Sequence, residues 1–431
     1  MLVIHWFRRD LRLEDNTSLQ SALAGNLPVL PIFIFDQNIL EELARNDPRL
    51  SFIHQELLRI HQQLNMSGSG ILALRGDPHA VWSSLLEQFE IREVHWNKDY
   101  EPYARDRDNA IRDLLETNGV EVHEYKDQVI FEENEITKND GKPYTVFTPY
   151  KKKWLNKLQS KDVKVRAGCT ESGFFRNEPN FPSLEKLGFL KSALPTPEYD
   201  FSRVQVYAAE RDLPAADSTS RLGPHLRFGT VSIRQIFTDI YPRHEVFLSE
   251  LIWREFFMQI LFHFPKVVSR NFRRKYDGIC WRNNEEEFEA WCRGETGYPL
   301  VDAGMRQLNE TGFMHNRVRM VVASFLCKHL LIDWCWGEAY FAEKLLDYEL
   351  SSNNGNWQWA AGTGCDAAPY FRVFNPTTQQ EKFDPNFGYV KKWLPEYGTN
   401  EYPQPIVEHK FARERVIATY KKGIDDFDSG N

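Results

Sequence analysis

Short apolar runs alternate with amphipathic helical patterns through residues 1–130, and this alternation limits the fold more than any other feature of the chain. The apolar runs are typical of β-strands and lie at residues 2–7, 28–35, 71–74, 93–96 and 120–124. The helical patterns between them lie at residues 50–64, 79–90 and 103–117. Strands that alternate with helices pair in parallel, so the sequence predicts an α/β domain with a doubly wound parallel sheet.

The pattern changes twice along the rest of the chain. Polar and proline-rich stretches appear at residues 134–143 and 177–182, and we interpret residues 131–200 as an interdomain connector. From residue 201 onward, helical periodicity predicts helices at residues 245–264, 285–293, 299–310, 316–331 and 337–346. The sequence therefore predicts an N-terminal α/β domain over residues 1–130 and an all-helical C-terminal domain over residues 201–431.

Composition and charge exclude several classes of protein. No apolar run approaches the roughly 18 residues of a membrane helix, and the N-terminus is charged too early for a signal peptide, so we expect a cytoplasmic protein that does not enter membranes. The six cysteines include no C-x-x-C pair, which predicts neither a zinc site nor a disulfide framework.

The net charge of −8 argues weakly against a nucleic-acid partner, although such binding needs only a local basic patch. Residues 266–275 contain five basic residues and no acidic one, which suits DNA contact or a solvated loop.

Small hydroxyl residues and a glycine precede a predicted helix in residues 218–226, STSRLGPHL. Backbone N–H groups and hydroxyls in such a loop bind phosphate. A helix N-cap without a ligand also explains these residues. The segment is not G-x-G-x-x-G, so it does not indicate a Rossmann dinucleotide site.

Glu250, Trp253 and Arg254 are spaced to share one helix face. A carboxylate, an indole and a guanidinium together suit a flat, polar, aromatic ligand. A surface ion pair beside a core tryptophan also explains them.

Asn316, Arg319 and Met320 likewise share a helix face, whereas we expect Arg317 to point elsewhere. Two arginines on different faces suit a buried ligand and an outer phosphate. An ordinary basic helix is the simpler interpretation of this motif alone.

The sequence Asn353-Asn354-Gly355 predicts a turn. Trp357 and Trp359 follow it, and the small residues at 360–364 allow close approach of the backbone. A polar turn beside paired indoles is unusual in a plain core, so structural and functional interpretations both stay open here.

These segments carry a resemblance to a known family. The opening HWFRRDLRLEDN is followed in order by TSRLGPHL, ELIWREFF, TGYPLVDAGMRQL, MHNRVRM, LLIDW, NNGNWQWAAGTG, DAAPYFRVFNP and YPQPIVEHK. In this order the chain resembles the photolyase/cryptochrome family over nearly its whole length. It is most similar to the class I enzymes that repair cyclobutane pyrimidine dimers in DNA.

The resemblance implies that the helical domain binds FAD noncovalently and that the α/β domain is an antenna domain. Asn353 matches the position that faces flavin N5, and Glu349 stands where the family more often has aspartate. The residues that match cofactor positions are Tyr207, Thr219, Ser220, Arg221, Leu222, Gly223, Arg254, Arg319, Asp347, Glu349 and Asn353.

The resemblance also implies a lesion pocket, an electron-transfer chain and a DNA surface. Excited reduced flavin gives an electron to the flipped-out dimer, the ring splits, and the electron returns. The residues that match the pocket are Glu250, Trp253, Asn316, Met320 and Trp359. The photoreduction chain matches Trp281, Trp334 and Trp357, and the DNA-phosphate contacts match Arg211, Arg317, Arg372 and Lys382.

Other branches of the family are the alternatives. Enzymes that repair (6-4) photoproducts carry histidine where this chain has Asn316 and Met320, since that reaction needs a proton donor. Cryptochrome photoreceptors usually alter the pocket or add a signalling tail. A flavin-free nucleotide-binding protein is a third hypothesis. We expect a monomer whose partner is damaged DNA.

The antenna chromophore stays open between a deazaflavin and a folate. A folate-binding branch has a Cys-Lys pair soon after the proline that matches Pro265, where this chain has Lys266 and Val267. The segment WNKDYEP at residues 96–102 is similar to branches that use a deazaflavin.

Overall fold

The computed structural model describes residues 1–166, 168, 173–177 and 179–430. The chain divides into two compact units. Unit one comprises residues 1–136, 154–199 and 222–243, and unit two comprises residues 137–153, 200–221 and those from 244 onward.

The segment interpreted as a connector belongs partly to each unit, because aromatic side chains anchor its two parts. Phe174 forms a parallel bridge with Val29, and both lie with Phe189 in a hydrophobic core of unit one. Phe147 and Tyr150 instead pack on Phe256 in unit two. Both parts of the segment are held by burial of large aromatic side chains. The polar residues around these side chains in the sequence gave no sign of this packing.

Unit one is built on a parallel sheet with the strand order β3-β2-β1-β4-β5. The central strand β1 pairs with β2 and β4 and is buried along its whole length. Its alternate side chains enter separate hydrophobic cores on the two faces of the sheet, with Val3 and Phe7 on one face and Ile4 and Trp6 on the other. The predicted strands are confirmed with ends shifted by one or two residues: β1 Leu2–Phe7, β2 Val29–Asp36, β3 Leu72–Gly76, β4 Ile91–Asn97 and β5 Glu121–Tyr125.

Helices alternate with these strands along the chain, and one further helix follows the last strand. The short α1 was not predicted, because it follows the polar Asn16 cap and has only two turns. The helices up to residue 157 are α1 Thr17–Leu23, α2 Gln37–Leu40, α3 Pro48–Asn65, α4 Pro78–Gln88, α5 Pro102–Thr117 and α6 Phe147–Lys157.

Aspartate followed by proline begins two of these helices. The Asp47 side chain accepts a hydrogen bond from Arg49 N at 2.8 Å, and that of Asp77 accepts one from Ala80 N at 3.0 Å. Proline is suited to the first helical turn, where its missing N–H has no intrahelical partner. These caps start α3 and α4 slightly before the apolar periodicity begins.

A buried ion cluster connects distant segments of unit one. Asp127 accepts hydrogen bonds from Arg12 NH2 at 2.5 Å and from Arg234 NH2 at 2.8 Å. Arg234 Nε also donates to Asp15 Oδ2 at 2.8 Å. All four side chains are buried, so each charge depends on the others for the stabilisation that water would otherwise give.

The five helices predicted after residue 201 correspond to α10 to α14, with ends shifted by up to three residues and with one division. The helix expected over residues 316–331 ends at Ser324 and continues as a π-helical turn over Phe325–Leu330. The helices are α7 Tyr207–Glu210, α8 Gly223–Phe228, α9 Ile233–Ile240, α10 Glu245–His263, α11 Glu285–Arg293, α12 Pro299–Thr311, α13 Asn316–Ser324, α14 Trp334–Lys344, α15 Leu350–Ala361, α16 Pro376–Phe383, α17 Gly388–Trp393 and α18 His409–Gly430. No helix among the described residues is both long and apolar enough to cross a bilayer.

The turn predicted at residues 353–355 is wrong, since these residues lie inside α15. Glu349 caps the helix upstream, so the asparagines fall in its first two turns. Gly355 is required by packing and not by a turn: a Cβ there would lie 2.1 Å from Phe257 Cδ1.

Replacing Asp127 by Asn should lower the free energy of unfolding at pH 7 by about 3–5 kcal/mol, because Arg12 and Arg234 would lose their shared carboxylate. Burial opposes ionisation of Asp127, but the two arginines outweigh it and lower its pKa to about 2. The ionised group therefore stabilises the fold above pH 4 by about 2 kcal/mol, and this contribution is lost as the pH falls towards 2. Urea unfolding of the wild type and the variant at pH 7 and pH 3 measures both effects.

Asp113→Asn is the matched control, because Asp113 is an exposed carboxylate on α5 of the same unit. It should leave the unfolding free energy unchanged within about 0.5 kcal/mol. Equal effects of the two substitutions would contradict the role of the buried cluster.

Candidate functional site

Helices α10 and α15 touch at Gly355, and this contact sets the positions of the two candidate pocket tryptophans. Phe257 of α10 lies against Gly355 so closely that no side chain fits between them. Trp253 is one turn before Phe257, and Trp359 is one turn after Gly355. Both indoles are half-buried. The close approach thus holds two partly accessible aromatic side chains on adjacent helices.

Trp253 is fixed by aromatic neighbours in unit two. Its ring stacks on Phe147 with a centroid distance of 3.7 Å and an interplanar angle of 7°. Phe257 stacks at 5.3 Å, and Phe256 meets it edge-on at 5.4 Å. One face of the indole is therefore covered by Phe147, a residue that sequence reasoning did not select because it lies more than a hundred positions away.

Glu250 lies one turn before Trp253 and forms an ion pair with Arg211. Arg211 NH1 donates to Glu250 Oε1 at 2.6 Å, and both side chains are half-buried. No described residue donates a hydrogen bond to Glu250 Oε2. The guanidinium carbon of Arg211 lies 5.3 Å from the ring centroid of Tyr207. Burial, together with the charge of Glu250, raises the pKa of Tyr207 well above its usual value.

Arg317 forms a second ion pair, with Asp212, which directly follows Arg211 in the sequence. Its NH2 donates to Asp212 Oδ1 at 2.6 Å, and its guanidinium lies 4.3 Å from the ring centre of Phe383. Lys382 Nζ also packs on Phe383, at 5.0 Å. Arg317 NH1 lies 3.5 Å from Met320 Sδ, so the expectation that Arg317 points away from Met320 is wrong. Residues three apart in a helix are neighbours on its surface.

The other candidates near this region are solvent-facing. Asn316, the first residue of α13, is exposed, and so are Arg372 and Lys382. Arg372 packs on Phe374 at 5.3 Å and has no described contact with the Phe383 group. The structure thus brings Arg211, Arg317 and Lys382 together and leaves Arg372 apart.

Arg319 and Asp347, which both match cofactor positions, form an ion pair. Arg319 NH1 and NH2 donate to the two carboxylate oxygens at 3.2 and 2.9 Å, and Nε donates to Met314 O at 2.7 Å. The side chains are 24% and 17% exposed, so the pair is only partly buried. This two-point geometry orients both groups more firmly than a single hydrogen bond would.

Glu349 and Asn353 are held by α15 and its neighbour. Glu349 accepts hydrogen bonds from Ser351 N and Ser352 N at 3.2 and 3.0 Å, which places its negative charge at the helix N-terminus. Asn353 Nδ2 donates to Glu338 Oε1 of α14 at 2.9 Å. Burial raises the pKa of Glu338, a residue that sequence reasoning did not select.

The hydroxyl-rich loop before α8 contains buried polar atoms without partners. Ser218 Oγ and Thr219 Oγ1 accept or donate no hydrogen bond within the described residues. Ser220 is buried, whereas Arg221 is exposed and pairs with Asp217 at 2.9 Å. Leu222 and Gly223 belong to unit one, and Arg254 is half-buried on α10. Unsatisfied buried hydroxyls are costly, so they indicate a polar ligand such as a phosphate group at Ser218 and Thr219.

The three tryptophans of the expected electron-transfer chain have different surroundings. Trp357 is buried and lies against Gly337 of α14, where a Cβ would be 2.1 Å from its ring. Trp334, also buried, is one turn before Gly337 and donates to Asn271 Oδ1 at 3.0 Å. Trp281 is half-buried and meets Tyr420 edge-on at 5.8 Å. The described residues include no direct ring contact among the three, while Trp357 meets Trp291 at 6.2 Å.

These groups fit a flavin nucleotide in unit two. Unpaired hydroxyls suit its phosphates, the Arg319–Asp347 pair suits a polar ring edge, and Asn353 offers an amide near α14. The half-buried Glu250, Trp253, Met320 and Trp359 suit a flat, polar substrate.

Known proteins and family models match this chain over nearly its whole length. Residues 3–167 match the family model for DNA photolyase, and residues 247–400 match that for the FAD binding domain of DNA photolyase. The deoxyribodipyrimidine photo-lyase of Halobacterium salinarum is 36% identical over 98% of this chain and 99% of its own.

Two solved structures are also similar. A bacterial class III photolyase from Agrobacterium tumefaciens has a TM-score of 0.89 and 34% identity, over 98% of this chain and 97% of its own. An archaeal photolyase from Sulfolobus tokodaii, solved with two FAD molecules, has a TM-score of 0.85 and 37% identity, over 98% of this chain and 100% of its own.

Replacing Gly355 by Ala should destabilise unit two, although alanine favours a helix by about 1 kcal/mol over glycine. The new Cβ must displace the Phe257 ring, and overpacking of this kind costs about 1–3 kcal/mol. Because α15 also carries Asn353, a candidate flavin contact, we also expect weaker retention of flavin. Urea unfolding and the flavin content of the purified variant measure the two effects.

Asn356→Ala is the control, because Asn356 is the adjacent exposed residue of α15. Phe257→Leu in the Gly355→Ala background should recover part of the lost stability. A Gly355→Ala variant as stable as the wild type would contradict the close-approach argument.

Proposed function

Because this chain belongs to the DNA photolyase family and contains its FAD-binding domain, we propose that it repairs cyclobutane pyrimidine dimers in DNA with light energy. The choice of this lesion over the (6-4) photoproduct rests on the protonation state of His315. This histidine is the N-cap of α13, is buried, and accepts a hydrogen bond from Arg317 N at 3.2 Å. Burial and the nearby Arg319 lower its pKa to about 4, so it is neutral at physiological pH.

A neutral, helix-capping histidine does not supply the proton that (6-4) repair requires. The neighbouring positions hold Asn316 and Met320, which cannot act as acids at neutral pH. Cyclobutane splitting needs an electron in and back out and no net proton transfer. The chemistry available beside α13 therefore favours the cyclobutane lesion.

FAD, when bound, supplies the light-driven electron that the splitting requires. Thr219, Ser220, Arg319 and Asp347 are the residues we propose to hold it, through hydroxyls and the paired charges. Asn353 is proposed to fix the polar edge of the flavin.

The lesion is proposed to lie between Trp253 and Trp359. Indole faces bind the rings of a flipped pyrimidine pair by stacking. Glu250 Oε2 is available to accept hydrogen bonds from the pyrimidine edge, while Oε1 stays bonded to Arg211. A carboxylate held in this way orients the lesion and stabilises charge that develops on it.

Phosphates on either side of the lesion are proposed to contact Arg211, Arg317, Arg372 and Lys382. The first two are paired with Glu250 and Asp212, so each guanidinium is already oriented. Such contacts hold the DNA backbone without reading its sequence.

Reduced holoprotein should repair cyclobutane dimers and leave (6-4) photoproducts intact when both are offered in identical DNA under blue light. Chromatography of the digested DNA measures the two lesions separately. Repair of the (6-4) lesion alone would contradict the assignment made from His315. Flavin photochemistry without repair of either lesion would favour a photoreceptor instead.

Glu250→Gln should reduce dimer repair by about tenfold or more and retain FAD, because the amide keeps the size of the side chain but loses its charge. The matched control is Glu245→Gln, an exposed glutamate at the start of the same helix. It should repair dimers at the wild-type rate. Equal repair by both variants would count against a role for Glu250 at the lesion.

Trp357→Phe should block light-driven reduction of oxidised protein by an external donor and spare repair by chemically reduced protein. We propose that electrons pass inward from the surface through Trp357, Trp334 and Trp281. Phenylalanine is much harder to oxidise than tryptophan, so the substitution interrupts this transfer. Absorption spectra during illumination measure the reduction. Trp393→Phe, outside the proposed chain, is the control, and photoreduction as fast in Trp357→Phe as in the control would refute the chain.

A further inference from the structure

Two identical tripeptides lie side by side in the sheet of unit one. Strand β4 contains Glu93-Val94-His95, and the edge strand β5 contains Glu121-Val122-His123. The parallel register pairs Glu93 with Glu121 and His95 with His123. Sequence reasoning concentrated on cysteine pairs and missed this repeat, whose meaning depends on the strands being in register.

The repeat separates apolar and ligating side chains on opposite faces of the sheet. Val94 is buried in a hydrophobic core, and Val122 packs against the same core. Because side chains alternate along a strand, the glutamates and histidines project together from the other face. Glu93 and His123 are 33% and 38% exposed, so a small ion reaches the cluster from solvent.

The ligand atoms are already close to metal-binding distances. His95 Nε2 and His123 Nε2 lie 3.1 and 3.7 Å from Glu93 Oε2. The ligand atoms of these three residues all lie within 4.8 Å of one another. In a tetrahedral zinc site, neighbouring ligand atoms are about 3.4 Å apart. Small side-chain rotations therefore suffice to place the three atoms around one ion.

A hydrogen-bond chain behind His95 suits metal binding at Nε2. Tyr125 OH lies 3.0 Å from His95 Nδ1, and Ser21 Oγ lies 2.7 Å from Tyr125 OH. When Nε2 binds a metal, Nδ1 must carry the proton, and the Tyr125 oxygen then accepts it while its own O–H turns towards Ser21. Outer hydrogen bonds of this kind orient metal-binding histidines.

The cluster also has an electrostatic reason to take up a cation. Glu93 and Glu121 are directly opposite on paired strands, and like charges at such positions destabilise a sheet. Arg92 pairs with Glu121 and offsets part of this repulsion. A divalent cation bound at Glu93 offsets the remainder.

We propose that Glu93, His95 and His123 form a binding site for Zn²⁺ or a similar divalent transition-metal ion, with water as the fourth ligand. Two imidazoles and one carboxylate are typical ligands of such ions, whereas Mg²⁺ and Ca²⁺ prefer all-oxygen sites. The site lies in unit one and is independent of the proposed repair reaction.

Isothermal titration of the untagged holoprotein with zinc chloride tests this proposal, with excess Mg²⁺ present. We expect about one tightly bound Zn²⁺ per chain, and binding weakened by about tenfold or more in His95→Gln and in His123→Gln. His79→Gln, an exposed histidine on α4 of the same unit, should bind as the wild type does.

Anomalous diffraction at the zinc edge then locates the ion. Density between β4 and β5 supports the proposal. Absence of binding, displacement by Mg²⁺, density elsewhere, or undiminished affinity in the double variant His95→Gln/His123→Gln would each overturn it. His123 is partly exposed, so His123→Gln gives a folded test protein even if His95→Gln is unstable, and thermal unfolding in the presence of a chelator verifies this.

Discussion

The position of helix α15 is the constraint on which the candidate site depends, and three contacts fix it. Glu349 caps its first turn, Gly355 admits the Phe257 ring of α10, and Trp357 fills the space above Gly337 of α14. Each contact uses a different physical effect: charge at a helix terminus, absence of a side chain, and burial of a large ring. Because α15 also carries Asn353 and Trp359, a shift of this helix would move a proposed flavin contact and a proposed lesion contact together.

The sequence predicted the elements far better than it predicted their contacts. Period-two and helical patterns are local, so the strands of unit one and helices α10 to α14 of unit two were found with small shifts, whereas α15 and α18 were not predicted. The turn expected at Gly355 failed because glycine was interpreted from its chain neighbours, whereas Phe257 across the helix interface explains it. The partners Phe147, Asp212 and Glu338 were missed because each meets the site through tertiary packing alone.

Paired charges are common to three arginines that we propose as contacts to DNA or flavin in this acidic chain. Arg211, Arg317 and Arg319 each bond to a carboxylate, so the site carries oriented guanidiniums with little net charge. Such pairs are prearranged, which lowers the entropy lost when a ligand binds. They also disfavour ligands that offer charge without matching geometry, and this favours specificity over general attraction to polyanions.

The buried ion cluster of unit one has a consequence for how the chain is made. Arg234, which bonds to both Asp15 and Asp127, lies beyond a segment of unit two at residues 200–221. A ribosome must therefore synthesise more than half of the protein before the last charge of this cluster is available. Until then Asp15 lacks its main cationic partner, and a nascent chain exposes an incomplete sheet domain to chaperones and proteases. The order of the segments along the chain therefore makes the folding of unit one depend on prior synthesis of part of unit two.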